Sequence, residues 1–258
     1  MGGGCCKPSQ KSASNPKLKR NIKKSNLPEM RKKFELMKQL NIESIPVKSL
    51  GTNGPLHISG LKNVNASDCG IKSIDDDFFD ASSRTLKTVN FTSNAISEFP
   101  NLFACTKLVT LKLSKNNLNK VPKEICQIKT LKHLELDHQD IEELIPELFL
   151  GNLELLSISH NKISAIPEKT RNGDDLFTSF SQTLVCLDLG HNPIGSIPNG
   201  LLEQTNIHKL NLEGTNASKK ELELMPGLSQ YIERRKNRID IAIWNEIDVD
   251  WNLCGLQG

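Results

Sequence analysis

The chain has 258 residues, 37% of them hydrophobic and 5% aromatic, a length that holds one large domain or two small ones. No run approaches the roughly 18 apolar residues of a spanning helix, and the N-terminus lacks the apolar stretch of a secretory signal. The expected place of action is therefore the cytosol or its membrane face. The formal net charge of +3 hides a polarised layout: residues 1–33 hold ten Lys/Arg against one acid, Glu29, and the remainder holds 23 against 29. A basic arm of +9 precedes a body of −6.

The arm opens MGGGCCKPSQKSASNPKLKR. A glycine after Met1 is the acceptor that N-myristoylation requires, and nearby cysteines are acceptors for palmitate. Position 6 is Cys6 where Ser or Thr is favoured, whereas small residues at 3–5 and Lys7 suit the reaction. The expectation is an N-myristoyl group on Gly2 and S-palmitoyl groups on Cys5 and Cys6, against the plainer alternative of an unmodified start. One myristoyl chain binds a bilayer only marginally, at about 10⁴ M⁻¹, so palmitate is the group that would make attachment lasting. Lys7, Lys11, Lys17, Lys19, Arg20, Lys23 and Lys24 add attraction to an anionic cytosolic leaflet, about 1 kcal/mol each when close to it. A nucleic-acid tail is the competing reading. The arm has no interleaved aromatics, and no nucleic-acid partner is expected.

Between 34 and 57 the pattern predicts an N-terminal cap or a degenerate repeat. Pro28 can open a helix, and Leu27, Met30, Phe34, Met37 and Leu40 continue in steps of three and four. LNIESIP (40–46) also looks like the tail of a decayed repeat, and GTNGP (51–55) separates it from the next segment as a turn-rich breaker.

From 58 to 219 one frame, LxxLxLxxNxLxxIP, recurs. It reads LKTVNFTSNAISEFP (86–100), LVTLKLSKNNLNKVP (108–122), LKHLELDHQDIEELIP (131–146), LELLSISHNKISAIP (153–167) and LVCLDLGHNPIGSIP (184–198). LKNVNASDCGIKSID (61–75) and IHKLNLEGTNASK (207–219) are weaker copies. Equivalent apolar residues Ile71, Ile96, Leu118, Ile141, Ile163 and Ile194 are spaced 25, 22, 23, 22 and 31 apart. This frame and period are the signature of a leucine-rich-repeat solenoid. The fold predicted is α/β: about seven repeats, a parallel sheet on the concave face, helical caps at the ends. Asn94, Asn116, Asn161 and Asn192 should bond backbone groups of neighbouring turns, and Cys69, Gln139 and Thr215 in their place should bond less tightly. The long step encloses EKTRNGDDLFTSFSQT (168–183), predicted to be a convex loop, with a partner contact through Phe177 and Phe180 as the alternative.

With these motifs the chain resembles small intracellular, N-myristoylated leucine-rich-repeat proteins of the leucine-rich repeat-containing protein 57 type. The resemblance covers roughly 55–240, including the helical tail ELELMPGLSQYIERRKN (221–237), and the glycine start. The cysteine pair, the basic stretch and about the last 18 residues depart from it. It implies a lipidated protein without enzymatic activity, and the repeat subtype also looks like that of proteins that bind Ras-like GTPases.

Outward positions of the concave face fall into columns. Lys112, Glu135, Asp188 and Lys209 sit on strands, Asp137 comes just after one, and Lys115, His138, His160 and His191 form a last column with three histidines on successive turns. These nine are the candidate protein-binding residues. A histidine ladder can bind a metal or sense pH, but although Asp137 and Asp188 are near, no carboxylate-plus-His set has ligand spacing, so no metal or cofactor is expected, and the histidines read as tolerated at an exposed site. Catalytic motifs are missing too: no phosphate loop, nucleophile elbow or HExxH, hence no enzyme and no small-molecule substrate. The seven cysteines show no CxxC and read as reduced thiols, with Cys126 in the core.

Ser218 and Glu221 form a capping-box pattern before a helical cap over 220–240. Residues 241–258 are an acidic tail with Trp244 and Trp251, either a partner motif or a segment folded onto the solenoid. The function expected is a monomeric adaptor or scaffold that binds a protein on its concave face and is anchored to a cytosolic membrane face. The alternative is a soluble regulatory subunit for a small GTPase or protein phosphatase.

Overall fold

The computed structural model describes residues 39–41, 49–50, 59–99, 101–180, 182–244 and 254–255. Ten strands run through them in chain order: β1 (Gln39–Asn41), β2 (Ser49–Leu50), β3 (Asn63–Asn65), β4 (Ser73–Ile74), β5 (Thr88–Asn90), β6 (Thr110–Lys112), β7 (His133–Glu135), β8 (Leu155–Ser157), β9 (Cys186–Asp188) and β10 (Lys209–Asn211). One eight-stranded sheet has the order β1-β3-β5-β6-β7-β8-β9-β10, all pairs parallel, and β2 pairs with β4 in a second, two-stranded sheet. This is a leucine-rich-repeat solenoid.

The three-residue strands arise from the LxL frame. Alternate residues point to opposite faces, so the middle residue, Val64, Val89, Leu111, Leu134, Leu156, Leu187 or Leu210, is buried and its neighbours are not. These central residues pair with one another from turn to turn. The parallel ladder needs a return over the back of each turn. Short 3₁₀ segments supply it at Asp80–Ser82, Lys123–Gln127, Pro146–Phe149 and Phe177–Ser179, and helix α1 (Asn199–Glu203) supplies it in the last full turn. Pro122, Pro146 and Pro198 stand at the starts of these segments, where a fixed φ and a missing N–H cost nothing. Leucines, isoleucines and phenylalanines from Leu61 to Leu222 form one continuous core.

The N-terminal turn differs from the expectation in one respect. Leu40 belongs to a strand rather than to a helical face: Gln39, Leu40 and Asn41 pair with Asn63, Val64 and Asn65. The degenerate segment thus contributes a full strand, and the sheet has eight rungs. The helix expected after Pro28 lies outside the described residues.

The 168–183 insertion is folded, not looped out. Lys169 and Asp175 form an antiparallel bridge, Arg171 pairs with Glu147, and Leu176, Phe177 and Phe180 are buried. Phe180 stacks on Phe149 at 5.3 Å and on Phe177 at 5.7 Å. The two phenylalanines are therefore core, not a partner contact. Gly200 makes room for Phe177: a Cβ there would lie 2.5 Å from its ring.

At the C-terminal end, α2 (Lys219–Leu224) and α3 (Leu228–Trp244) close the solenoid. Ser218 precedes α2 as expected, but its side chain makes no capping hydrogen bond; the helix starts on the backbone bond from Leu222 N–H to the Ser218 carbonyl. Gly227 (φ +81°) lets α3 approach α1, since a Cβ would sit 2.4 Å from the Glu203 backbone. α3 buries Tyr231 completely. Arg234 donates to the carbonyls of Ile207 and Leu202 at 3.1 and 2.7 Å. α3 runs on to Trp244, into the segment read as a tail.

The tail returns at Cys254. Ala66, Phe91, Leu113, Leu136, Ile158 and Leu189 each donate their N–H to the last residue of the next strand. Leu212 donates the equivalent N–H to the carbonyl of Cys254 at 2.7 Å. Cys254 thus stands where a further repeat would place its strand, and it is 2% exposed. The N–H of Leu210 is taken by the Tyr231 hydroxyl at 3.3 Å. Cap helix and tail together satisfy the open edge of β10.

Candidate functional site

The site is built on a single backbone device. Asp68, Ser93, Lys115, His138, His160, His191 and Gly214, one per turn, all have φ between +53° and +66°. This left-handed bend ends each strand and points the chain into the convex return. His, Asp and Asn are enriched in that region among non-glycine residues, which explains the three histidines better than mere tolerance of an exposed position.

Behind the bend runs the asparagine ladder. Asn161 accepts from Ile141 N–H at 3.1 Å and donates to the carbonyls of Leu136, Ile158 and Ser159, each at 3.0 Å. Asn94, Asn116 and Asn192 do the same. Gln139 keeps the bonds to the preceding turn, Leu118 N–H at 2.8 Å and the Leu113 carbonyl at 2.7 Å. A threonine ladder, unforeseen although Thr precedes the first leucine in TL pairs, backs the convex side: Thr85, Thr130 and Thr183 donate to the carbonyls of Leu61, Leu108 and Leu153.

On the concave surface many polar groups are already engaged. Asn65, Asn90, Asp188 and Asn211 accept from the N–H two residues on, at 3.0 to 3.3 Å, an Asx turn that terminates the strand. Side chains cross-link neighbours: Asn90 donates to Asn65 at 3.1 Å and Asn211 to Asp188 at 2.9 Å. Lys112 and Glu135 form an ion pair at 2.7 Å. Asp137 is a hub: Oδ1 accepts from the Ser157 hydroxyl (2.7 Å), Ser159 N–H (2.8 Å) and the Ser159 hydroxyl (2.9 Å), and Oδ2 from the Ser114 hydroxyl (3.1 Å). Four of the nine candidates, Lys112, Glu135, Asp137 and Asp188, thus have structural partners within the sheet.

Lys115, His138, His160, His191 and Lys209 remain exposed. The imidazoles stack nearly in parallel, His138 on His160 at 4.0 Å and 10°, His160 on His191 at 4.1 Å and 14°. A Cβ on Gly214 would meet His191 Nδ1 at 2.4 Å, so the glycine of the next turn is what lets the ring lie over it. The pKa of His160 is lowered by partial burial and by its two histidine neighbours, with Asp137 and Asp188 opposing. Parallel rings do not converge their nitrogens, and no group of three or more His, Cys, Asp or Glu among the described residues is arranged to hold a metal.

Cys69, Cys105, Cys126, Cys186 and Cys254 are free thiols. Burial pushes Cys105 and Cys126 up to about 11, which leaves them poorly nucleophilic; Cys126 packs, half-buried, against the core. Gly2, Cys5, Cys6 and the lysines and arginine of the arm lie outside the described residues. No helix among the described residues is long and apolar enough to cross a membrane.

Comparison with known proteins agrees with this architecture. The Leucine Rich repeat family matches residues 180–197. Keratocan of Danio rerio is 29% identical over 61% of the chain and 44% of its own length. Leucine-rich repeat serine/threonine-protein kinase 1 of Caenorhabditis elegans is 31% identical over 48% of the chain and 5% of its own. The chain spans less than half the length of these curated relatives. Among solved structures, a leucine-rich-repeat protein of Leptospira interrogans superposes with a TM-score of 0.58 at 24% identity, covering 85% of this chain and 57% of that one. Internalin C2 of Listeria monocytogenes also gives 0.58, at 16% identity over 76% and 80% of the two chains. The fold and the repeat are what these likenesses share: the chain is a leucine-rich-repeat solenoid.

Proposed function

We propose that this protein is a non-enzymatic adaptor that binds a protein partner on its concave sheet. The observation that carries the reading is the eight-stranded parallel sheet with the exposed row of Lys115, His138, His160 and His191 along it, and exposed Lys209 on β10, beside polar groups locked in place. Solenoids present such surfaces for extended contacts, and rigid donors lose little entropy when they bind. A photo-reactive residue at Leu155, mid-sheet, should give protein adducts in cells, and one at Leu150 on the back should not. Adducts from Leu150 alone would reject the concave face.

The membrane part of the proposal rests on MGGGCCKP and the +9 arm. With Met1 as the initiating residue, Gly2 takes myristate, Cys5 and Cys6 take palmitate, and Lys7 to Lys24 meet an anionic cytosolic leaflet. Gly2→Ala should move the protein from the membrane to the soluble fraction. Unchanged membrane retention would remove the anchor, and failure of Gly2 to take up a myristate analogue would favour a soluble regulatory subunit.

A further inference from the structure

We propose that Lys115, His138, His160 and His191 form a docking row for an acidic polypeptide segment, and that protonation of the histidine stack sets how tightly it is held. The inference rests on the concave-face role above and adds the partner's chemistry and its regulation.

The polar groups of the face divide into engaged and unengaged ones. Asp137 has both oxygens filled, Asp188 is held by Gly190 and Asn211, and Lys112 and Glu135 neutralise each other. The four groups of the row are exposed and make no side-chain hydrogen bond or ion pair among the described residues. They carry donors and, once protonated, only positive charge. One group per turn at about 4.8 Å spacing gives a row about 14 Å long, the reach of about four residues of extended chain.

The stack controls the sign of the surface. Neutral imidazoles stack without penalty, whereas adjacent imidazoliums at 4.0 and 4.1 Å repel each other. The lowered pKa of His160 reflects partial burial and these flanking rings. The surrounding fixed charges are Lys115 on the preceding turn, Asp137 and Asp188 at the strand ends, and Glu213 on the next turn; Asp140 is paired with Lys162 at 2.7 Å. With neutral rings the nearby carboxylates outnumber Lys115 and repel an acidic segment. As the rings take up protons the balance inverts.

Linkage gives the direction. A carboxylate bound along the stack favours its imidazolium form, so binding takes up protons. Affinity therefore rises as pH falls through the histidine range and levels off below it. The arm's lysines and arginines keep their charge across the histidine range and contribute a pH-independent background.

The test uses the full chain and a dye-labelled octaglutamate peptide, with octaglutamine as control, monitored by fluorescence anisotropy at pH 7.5 and 5.5 and constant ionic strength. Octaglutamate should bind about tenfold more tightly at pH 5.5, the gain expected over two pH units when binding takes up about half a proton on average, with no change for octaglutamine. His138→Asn, His160→Asn and His191→Asn combined should flatten the pH dependence and leave the fold intact, because Asn accepts the left-handed backbone. NMR titration of the imidazole Hε1 signals should show the His160 midpoint rising when peptide is added. Equal pH dependence in the triple variant, or none in the native chain, overturns the proposal. If the peptide still cross-links to a photo-reactive residue at Leu155 in that case, the concave-face role stands without proton control; loss of the cross-link at both pH values removes both.

Discussion

Asn161 holds two turns of chain together with one amide. Its Oδ1 takes the N–H of Ile141 and its Nδ2 serves the carbonyls of Leu136, Ile158 and Ser159, three of the four bonds being buried and the one to Ser159 part-buried. Asn161→Ala leaves several of these groups unpaired at about 1–3 kcal/mol each, so urea unfolding should show a loss of roughly 2–4 kcal/mol. One position before it, His160 obeys a different constraint, its φ of +53°. His160→Asn should leave the melting temperature nearly unchanged. His160→Val should cost about 1 kcal/mol, because a β-branched side chain fits the left-handed region worse than His or Asn does. Equal effects of the two would show that the backbone does not select the residue here.

At the scale of the element, the insertion and the C-terminal helices show how irregular segments are tied to a regular solenoid. The 168–183 segment contributes Leu176, Phe177 and Phe180 to the core, and the stack from Phe149 through Phe180 to Phe177 bridges two turns. Phe180→Ala should cost about 3–5 kcal/mol, read by thermal or denaturant unfolding. A dispensable surface loop would lose almost nothing. The close approach of α3 to α1 rests on Gly227 in the same way. Gly227→Ala combines a strained φ with a Cβ 2.4 Å from the Glu203 backbone, and should loosen the cap, seen as faster amide exchange in α3 before global unfolding.

For the whole molecule the decisive feature is how a one-dimensional stack ends. An open strand edge is a template for pairing with another chain. Here the Tyr231 hydroxyl and the Cys254 carbonyl take the N–H groups of Leu210 and Leu212. Removing residues 251–258 should uncover the second of these and expose the edge of β10. Light scattering is then expected to show more concentration-dependent association than for the full chain; a truncated protein that associates no more than the full chain would rule out edge protection by the tail.

The repeat frame by itself determined the solenoid. A period of 22–25 residues with apolar positions two apart cannot bury its face except by stacking, and the strands fall where LxL places them, from Asn63 to Asn211. The outward columns were legible for the same reason, since the repeat sets the register. What only the tertiary structure decided lies where the period breaks or where side chains meet across turns. Leu40 joins the sheet because a neighbouring strand offers it a ladder. Phe180 turns inward to stack on Phe149, and Phe177 into the room that Gly200 leaves. Cys254 closes an edge from 43 residues beyond the end of the strand it caps. Asp137 reads in the sequence as a binding carboxylate, yet its oxygens are filled by serines 20 to 23 positions away on either side. Local spacing fixes which face a side chain takes; only the assembled neighbours fix whether that side chain still has a hydrogen bond to give.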